Sequence, residues 1–67
     1  MHDPIFRLNV GRLVMDLGGP AVVARSIGVP RTVPYRWLQR NYLSSRVIER
    51  LKTAHPELNI DHYFEDA

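Results

Sequence analysis

The sequence predicts an all-α domain of four or five helices, and three observations carry that expectation. Apolar residues recur at helical spacing along most of the chain. Prolines and glycines fall at the ends of those periodic runs, and Asp, Asn, Ser or Thr stands ahead of several of them as a candidate cap. Sixty-seven residues suffice for one small domain and not for two cores, so residues 1–67 are expected to form a single unit with a core over about 4–55 and a tail over 56–67. At that length one core is only marginally stable, and a partner subunit would help.

Asp3-Pro4 is a good helix opening, an acid that can cap followed by proline at the first helical position. Phe6, Val10, Leu13, Val14 and Leu17 then mark one face, which predicts a first helix over about residues 4–17. Gly11 lies inside it, and Asn9 offers an alternative cap that would leave Met1 to Leu8 as a separate arm. Ile5 and Leu8 lie off the main stripe and are free to cover a second surface. Gly18-Gly19-Pro20 ends this helix and opens the next, whose first N–H groups, near Gly19 to Val22, either serve the turn alone or bind a phosphate.

The second helix, Pro20 to Ile27, carries Val22, Val23 and Ile27 on one side, with the small Ala24 where a crossing helix must come close. Gly28 ends it, because glycine takes the left-handed conformation at no steric cost. A third helix follows to Arg40. Trp37 and Leu38 form its apolar face, while Arg31, Tyr35 and Gln39 run along one line of the opposite face and Thr32, Arg36 and Arg40 along the next. Asn41-Tyr42 is a loop, Ser44 or Ser45 caps a fourth helix with Val47, Ile48 and Leu51 inward, and Pro56 stops it after about His55. In the tail, Asn59 is expected to cap a last short helix with Ile60, Tyr63 and Phe64 on one side. Those three either finish the core or meet a second subunit; the subunit contact is preferred, and an antiparallel β pairing through Leu58 to Ile60 is a variant.

The net charge is only +2, but it is unevenly spread. From Pro20 to Lys52 seven basic residues (Arg25, Arg31, Arg36, Arg40, Arg46, Arg50, Lys52) face one acid, Glu49, a net of +6; from Thr53 onward four acids face no Lys or Arg, a net of −4. The positive charge coincides with the third helix and its neighbour, as binding to a polyanion requires. The side chains there suit base edges: arginine bonds guanine bidentately, glutamine adenine, and a threonine methyl touches thymine. A helix so equipped, braced by another across a glycine corner, fits the major groove of duplex DNA.

Other chemistry is thinly represented. There is no cysteine, which excludes disulfides and thiolate catalysis. His2, His55 and His62 lack metal-ligand spacing, so neither a metal nor another cofactor is expected. His55 suits a helix C-terminus, and His62 with Asp66 makes an ordinary surface pair on the expected last helix. No nucleophile with a base, phosphate loop or buried carboxylate pair stands out, and no enzymatic role is expected. No apolar run reaches the ~18 residues that span a bilayer, and an N-terminus with Asp3 and Pro4 lacks a signal peptide's organisation. A soluble, cytoplasmic protein without membrane or small-molecule partners is the expectation.

Ala24, Gly28, Val29 and Trp37, in the setting GGPAVVARSIGVPRTVPYRWL, resemble the helix-turn-helix of Cro-like and lambda-repressor-like regulators of phages and bacteria. The resemblance covers roughly residues 13–51. It implies a lambda-repressor-like domain that reads double-stranded DNA, with Thr32, Tyr35, Arg36 and Gln39 at base edges and Arg31, Arg40, Ser44, Ser45 and Arg46 at the backbone. It also implies repression by a homodimer on a near-palindromic operator, with Ile60, Tyr63 and Phe64 as candidate dimer contacts. One departure is Pro34, where such proteins carry an aliphatic residue. Proline is welcome only in a helix's first turn, so the third helix should start late with Thr32 as its N-cap, leaving Arg31 in the preceding loop near a phosphate. For Ser44, Ser45 and Arg46 the plainer alternative is that the serines only cap and that Arg46 pairs with Glu49. The rival functions are a protein-docking module such as the antitoxin of a toxin pair, with the tail as its main surface, and an architectural or recombination accessory protein that bends DNA.

Overall fold

The computed structural model describes residues 6–66, in which four α-helices follow one another and a two-stranded ribbon joins the two ends of the chain. Strand β1 (Phe6–Leu8) leads into α1 (Val10–Asp16), α2 (Pro20–Ile27), α3 (Thr32–Arg40) and α4 (Ser45–Ala54). A 3₁₀ turn (Ile60–Tyr63) and strand β2 (Phe64–Asp66) close the fold. The strands are antiparallel, with Phe6 opposite Asp66, Arg7 opposite Glu65 and Leu8 opposite Phe64. The described residues are therefore a small helical domain, consistent with the all-α expectation, to which one short two-stranded sheet is added.

The N-terminal segment departs most from the expected helix over residues 4–17. Its Asp3-Pro4 opening lies outside the described residues; within them the helix begins only at Val10. Asn9 is the cap: its Oδ1 accepts from the Arg12 N–H at 3.0 Å. Its backbone N–H donates to the Tyr63 carbonyl at 2.6 Å, so the residue that starts α1 also joins the closing turn. The β pairing uses Phe64–Asp66, not the stretch from Leu58 to Ile60.

The core draws on every helix. Val10, Leu13 and Val14 come from α1, Val23, Ala24 and Ile27 from α2, Trp37 from α3 and Leu51 from α4, with Leu8 and Leu43 at the edges. Full burial of a Val, Leu or Ile side chain is worth roughly 1.5–3 kcal/mol, so these few residues hold most of the stability available to so small a domain. Val22, expected inside, is instead exposed; its side chain packs beneath Gly18, within 3.1–3.4 Å of where a Cβ would lie. Gly18 and Gly19 both have positive φ, at 111° and 101°.

Two caps organise the middle of the chain. Gly28 sits in the left-handed region at φ 71° and its N–H bonds the Ala24 carbonyl. The Val29 N–H closes on the same carbonyl at 3.0 Å, which turns the chain sharply out of α2. At the far end of α3, Asn41 takes the left-handed conformation, φ 50°, and its Oδ1 accepts from the Val10 N–H at 3.1 Å. One asparagine thus ends α3 and satisfies the first N–H of α1, beside the Asn9 cap.

Helix α3 starts one residue earlier than its expected cap allows. Arg31 already has helical angles, φ −58° and ψ −27°, and occupies the cap position, so Thr32 is the first helical residue and makes no cap bond. The Val33 N–H bonds back to the Pro30 carbonyl at 3.0 Å. Pro34 therefore lies in the first turn as expected, where its missing N–H costs nothing, and its ring is buried. Helix α4 begins as predicted, with Ser44 Oγ accepting from the Val47 N–H at 3.3 Å, and ends at His55 ahead of Pro56.

In the tail Asn59 caps as expected, its Oδ1 accepting from the Asp61 N–H at 3.2 Å, but the turn lasts only to Tyr63. Ile60 and Tyr63 pack against the core, whereas Phe64 has already entered β2 and is 42% exposed. The three do not share one helical face. Asp66 likewise stands in the strand, so the helical spacing expected of it and His62 does not exist.

Candidate nucleic-acid interface

Helix α3 lies across α2 with Trp37 turned inward and only 8% exposed. Val33, Pro34 and Leu38 join the indole on the buried side. That leaves Thr32, Tyr35, Arg36, Gln39 and Arg40 exposed, with Arg31 exposed at the helix start. Helical spacing orders this surface: Thr32 and Gln39 run down its middle, Arg31 and Tyr35 along one flank, Arg36 and Arg40 along the other. Tyr35 stands well clear of the protein, at 54% exposure.

The donors on this ridge are uncommitted. Among the described residues, none of the side chains of Arg31, Arg36, Arg40 or Arg46 donates a hydrogen bond to the protein. Arg50 is different: its guanidinium donates to the Ile27 carbonyl at the C-terminal end of α2, where a cation suits the helix dipole. That bond ties α4 to the end of α2, next to the glycine corner.

The flank of Arg36 and Arg40 faces the start of α4. There Arg36, Trp37, Arg40, Tyr42, Ser44 and Val47 line a cleft of about 170 Å³. Of the residues expected at the DNA backbone, Arg40 and Ser44 meet here; Ser45 and Arg46 are exposed on the first turn of α4, and Arg31 stands at the other end of α3. Tyr42, 63% exposed, was not legible as a functional residue. Its only signal in the sequence is an aromatic ring in a loop between Arg40 and Ser44.

At the start of α2 the Gly19 N–H is already taken by the Val14 carbonyl at 2.9 Å, and Pro20 has none to offer. The donors left there are those of Ala21 and Val22.

The candidate dimer residues lie elsewhere. Tyr63 donates its hydroxyl to Asp16 Oδ2 at 2.8 Å, and the Arg12 guanidinium sits over its ring, 5.7 Å from the centroid. The bond to Asp16 raises the Tyr63 pKa above its ordinary value, helped by burial and by the carboxylate's charge and opposed by Arg12. Phe64 borders a groove of about 250 Å³ with Leu8, Tyr42, Leu43 and Ile48. His55 is engaged with α2: Ser26 Oγ donates to the Val23 carbonyl at 2.7 Å and so accepts from His55 Nε2 at 2.9 Å. Among the described residues no group of three or more His, Asp or Glu is placed to hold a metal ion, and no helix is long and apolar enough to cross a membrane.

The described residues define a small helical domain built on two helices that meet at a glycine corner, the second presenting a polar, cationic ridge. Comparison with protein-family models, with curated proteins and with solved structures finds no match for this chain.

Proposed function

We propose that this chain is a sequence-specific regulator that binds double-stranded DNA and acts in the cytoplasm as a homodimeric repressor on a near-palindromic operator. The observation that carries the proposal is the ridge of α3, whose exposed side chains are mostly hydrogen-bond donors with no partner among the described residues and whose opposite face is anchored by Trp37. A surface helix serving only the fold has no need of three arginines, a glutamine and a tyrosine on one side. Thr32 and Gln39 are centred to meet base edges, Tyr35 stands beside them, and Arg31, Arg40, Ser44, Ser45 and Arg46 border the ridge as backbone contacts. Dimerisation follows from the mechanics of such readers, since two half-sites ~34 Å apart multiply affinity and define the operator. The proposed protein needs no cofactor and catalyses no reaction.

Selection of bound sites from a random duplex pool tests this. A conserved half-site, repeated with inverted symmetry one helical turn away, is the expected result; recovery of unenriched pool at low salt would rule it out. A second reading, a protein-docking module, draws on the groove between Tyr42 and Phe64, two exposed aromatics on one surface. A pure docking protein would show no steep salt-dependent shift of random duplex.

A further inference from the structure

We propose that the cleft between α3 and α4 is an oxyanion subsite that clamps one phosphodiester group of the duplex, and that Arg36 and Tyr42 belong to it rather than to the base-reading set. This rests on the reading of α3 as the DNA-facing helix. At about 170 Å³ the cleft is smaller than the ~300–1,000 Å³ of ordinary small-molecule sites, a size that suits a single tetrahedral group.

Its polar lining consists of donors. Arg36 and Arg40 are four residues apart on one line of α3, so two like charges are held side by side, an arrangement that destabilises the free helix and is relieved by an anion between them. Tyr42 supplies a phenolic hydroxyl. Ser44 Oγ already accepts from the Val47 N–H, which leaves its own proton to donate outward. The first intrahelical bond of α4 runs from the Ile48 N–H to the Ser44 carbonyl, so the N–H groups of Ser45 and Arg46 remain open on the same end. Among the described residues no carboxylate lines the cleft, and Trp37 and Val47 make part of its lining apolar, which strengthens charge–charge attraction beside it. A cation or a neutral ligand would leave the paired guanidiniums uncompensated.

A side chain spent on a phosphate fixes register and carries no sequence information. Discrimination among bases then falls to Thr32, Tyr35 and Gln39, and Arg36 sets how deeply the ridge sits. A duplex phosphodiester and free phosphate share this chemistry, and two measurements separate them.

The first is the salt dependence of binding to a selected and to a random duplex. Arg36→Ala is expected to lower the slope by about one on both and to weaken both by the same factor, Arg36→Lys to restore the slope, and Tyr42→Phe to weaken both with the slope unchanged. The second follows the amide resonances of Ser45 and Arg46 during titration with inorganic phosphate against chloride at constant ionic strength. Wild type is expected to shift and the Arg36→Ala/Arg40→Ala double variant to stay still; both arginines are exposed, and a retained helical circular dichroism spectrum verifies the fold. If Arg36→Ala leaves the slope intact and relaxes discrimination at one base pair, the subsite is refuted while DNA reading stands. If wild type ignores duplexes yet those amides respond to phosphate, DNA reading fails and the subsite stands as a phosphate site. If neither responds, the subsite is refuted.

Discussion

Trp37 is the residue through which the core supports the ridge. Its indole is buried on the side of α3 opposite Thr32 and Gln39. Truncation to alanine should cost about 3–5 kcal/mol, comparable to everything a domain of this size has to lose, so Trp37→Ala is expected to show no cooperative thermal unfolding by circular dichroism. Tyr63 allows a subtler test. Its pKa is raised by the bond to Asp16, so the stabilisation from this group is present in full below the ordinary tyrosine range near ~10 and is lost as pH rises through the higher folded value. Tyr63→Phe should remove that alkaline step from the pH dependence of the melting temperature and leave the neutral range nearly flat. Trp37 and Leu13 were legible because periodicity alone turns them inward. Tyr42 was not, because its place depends on a cleft assembled from α3, a loop and α4, and no single stretch of sequence contains it.

At the level of the elements, the helices whose ends are written in local chemistry were legible. Pro20 and Gly28 bound α2, and Ser44 and Pro56 bound α4, because each acts on the backbone within a turn of itself. The first element failed for the opposite reason. Phe6 continues the helical stripe of α1, but backbone pairing of Phe6–Leu8 with Phe64–Asp66, far away in sequence, takes that segment into a strand. A contact so distant in sequence leaves no local trace. The start of α3 failed by one residue, since the helical angles of Arg31 placed Thr32 inside the helix. Two glycines should respond oppositely to alanine. Gly28→Ala forces a Cβ into φ 71° and should destabilise by about 1–2 kcal/mol. Gly11→Ala meets only Asn9 Oδ1 at 3.7 Å and Leu38 Cδ2 at 3.9 Å, ordinary contacts, and should stabilise by about 0.5–1 kcal/mol. Thermal melts measure both, at roughly 4–8 °C per kcal/mol. Removing the Ser44 cap in Ser44→Ala should cost about 1 kcal/mol by the same assay.

Across the whole molecule, charge is divided as binding to a polyanion would require. The net +6 of residues 20–52 includes the ridge and the adjoining end of α4, while the acids of the last fifteen residues lie beyond α4, Glu57 in the loop that follows it and Asp61, Glu65 and Asp66 on the closing turn and ribbon. The closing turn packs on α1, and Ile60 and Tyr63 spend part of their surface on the chain's own core, which leaves Phe64 as the exposed large apolar group of the tail, free for a second subunit. If that surface joins two copies, Phe64→Glu should shift sedimentation from dimer to monomer at a fixed protein concentration without unfolding the helices. Everything about function turns on whether α3 meets bases. The most direct measurement is equilibrium binding of wild type and Gln39→Ala to a selected duplex and to random duplex over a range of salt. The account predicts a steep salt slope on both duplexes for wild type, with Gln39→Ala losing ~1–3 kcal/mol on the selected site alone. No duplex binding at low ionic strength, or equal losses on both duplexes, would contradict it.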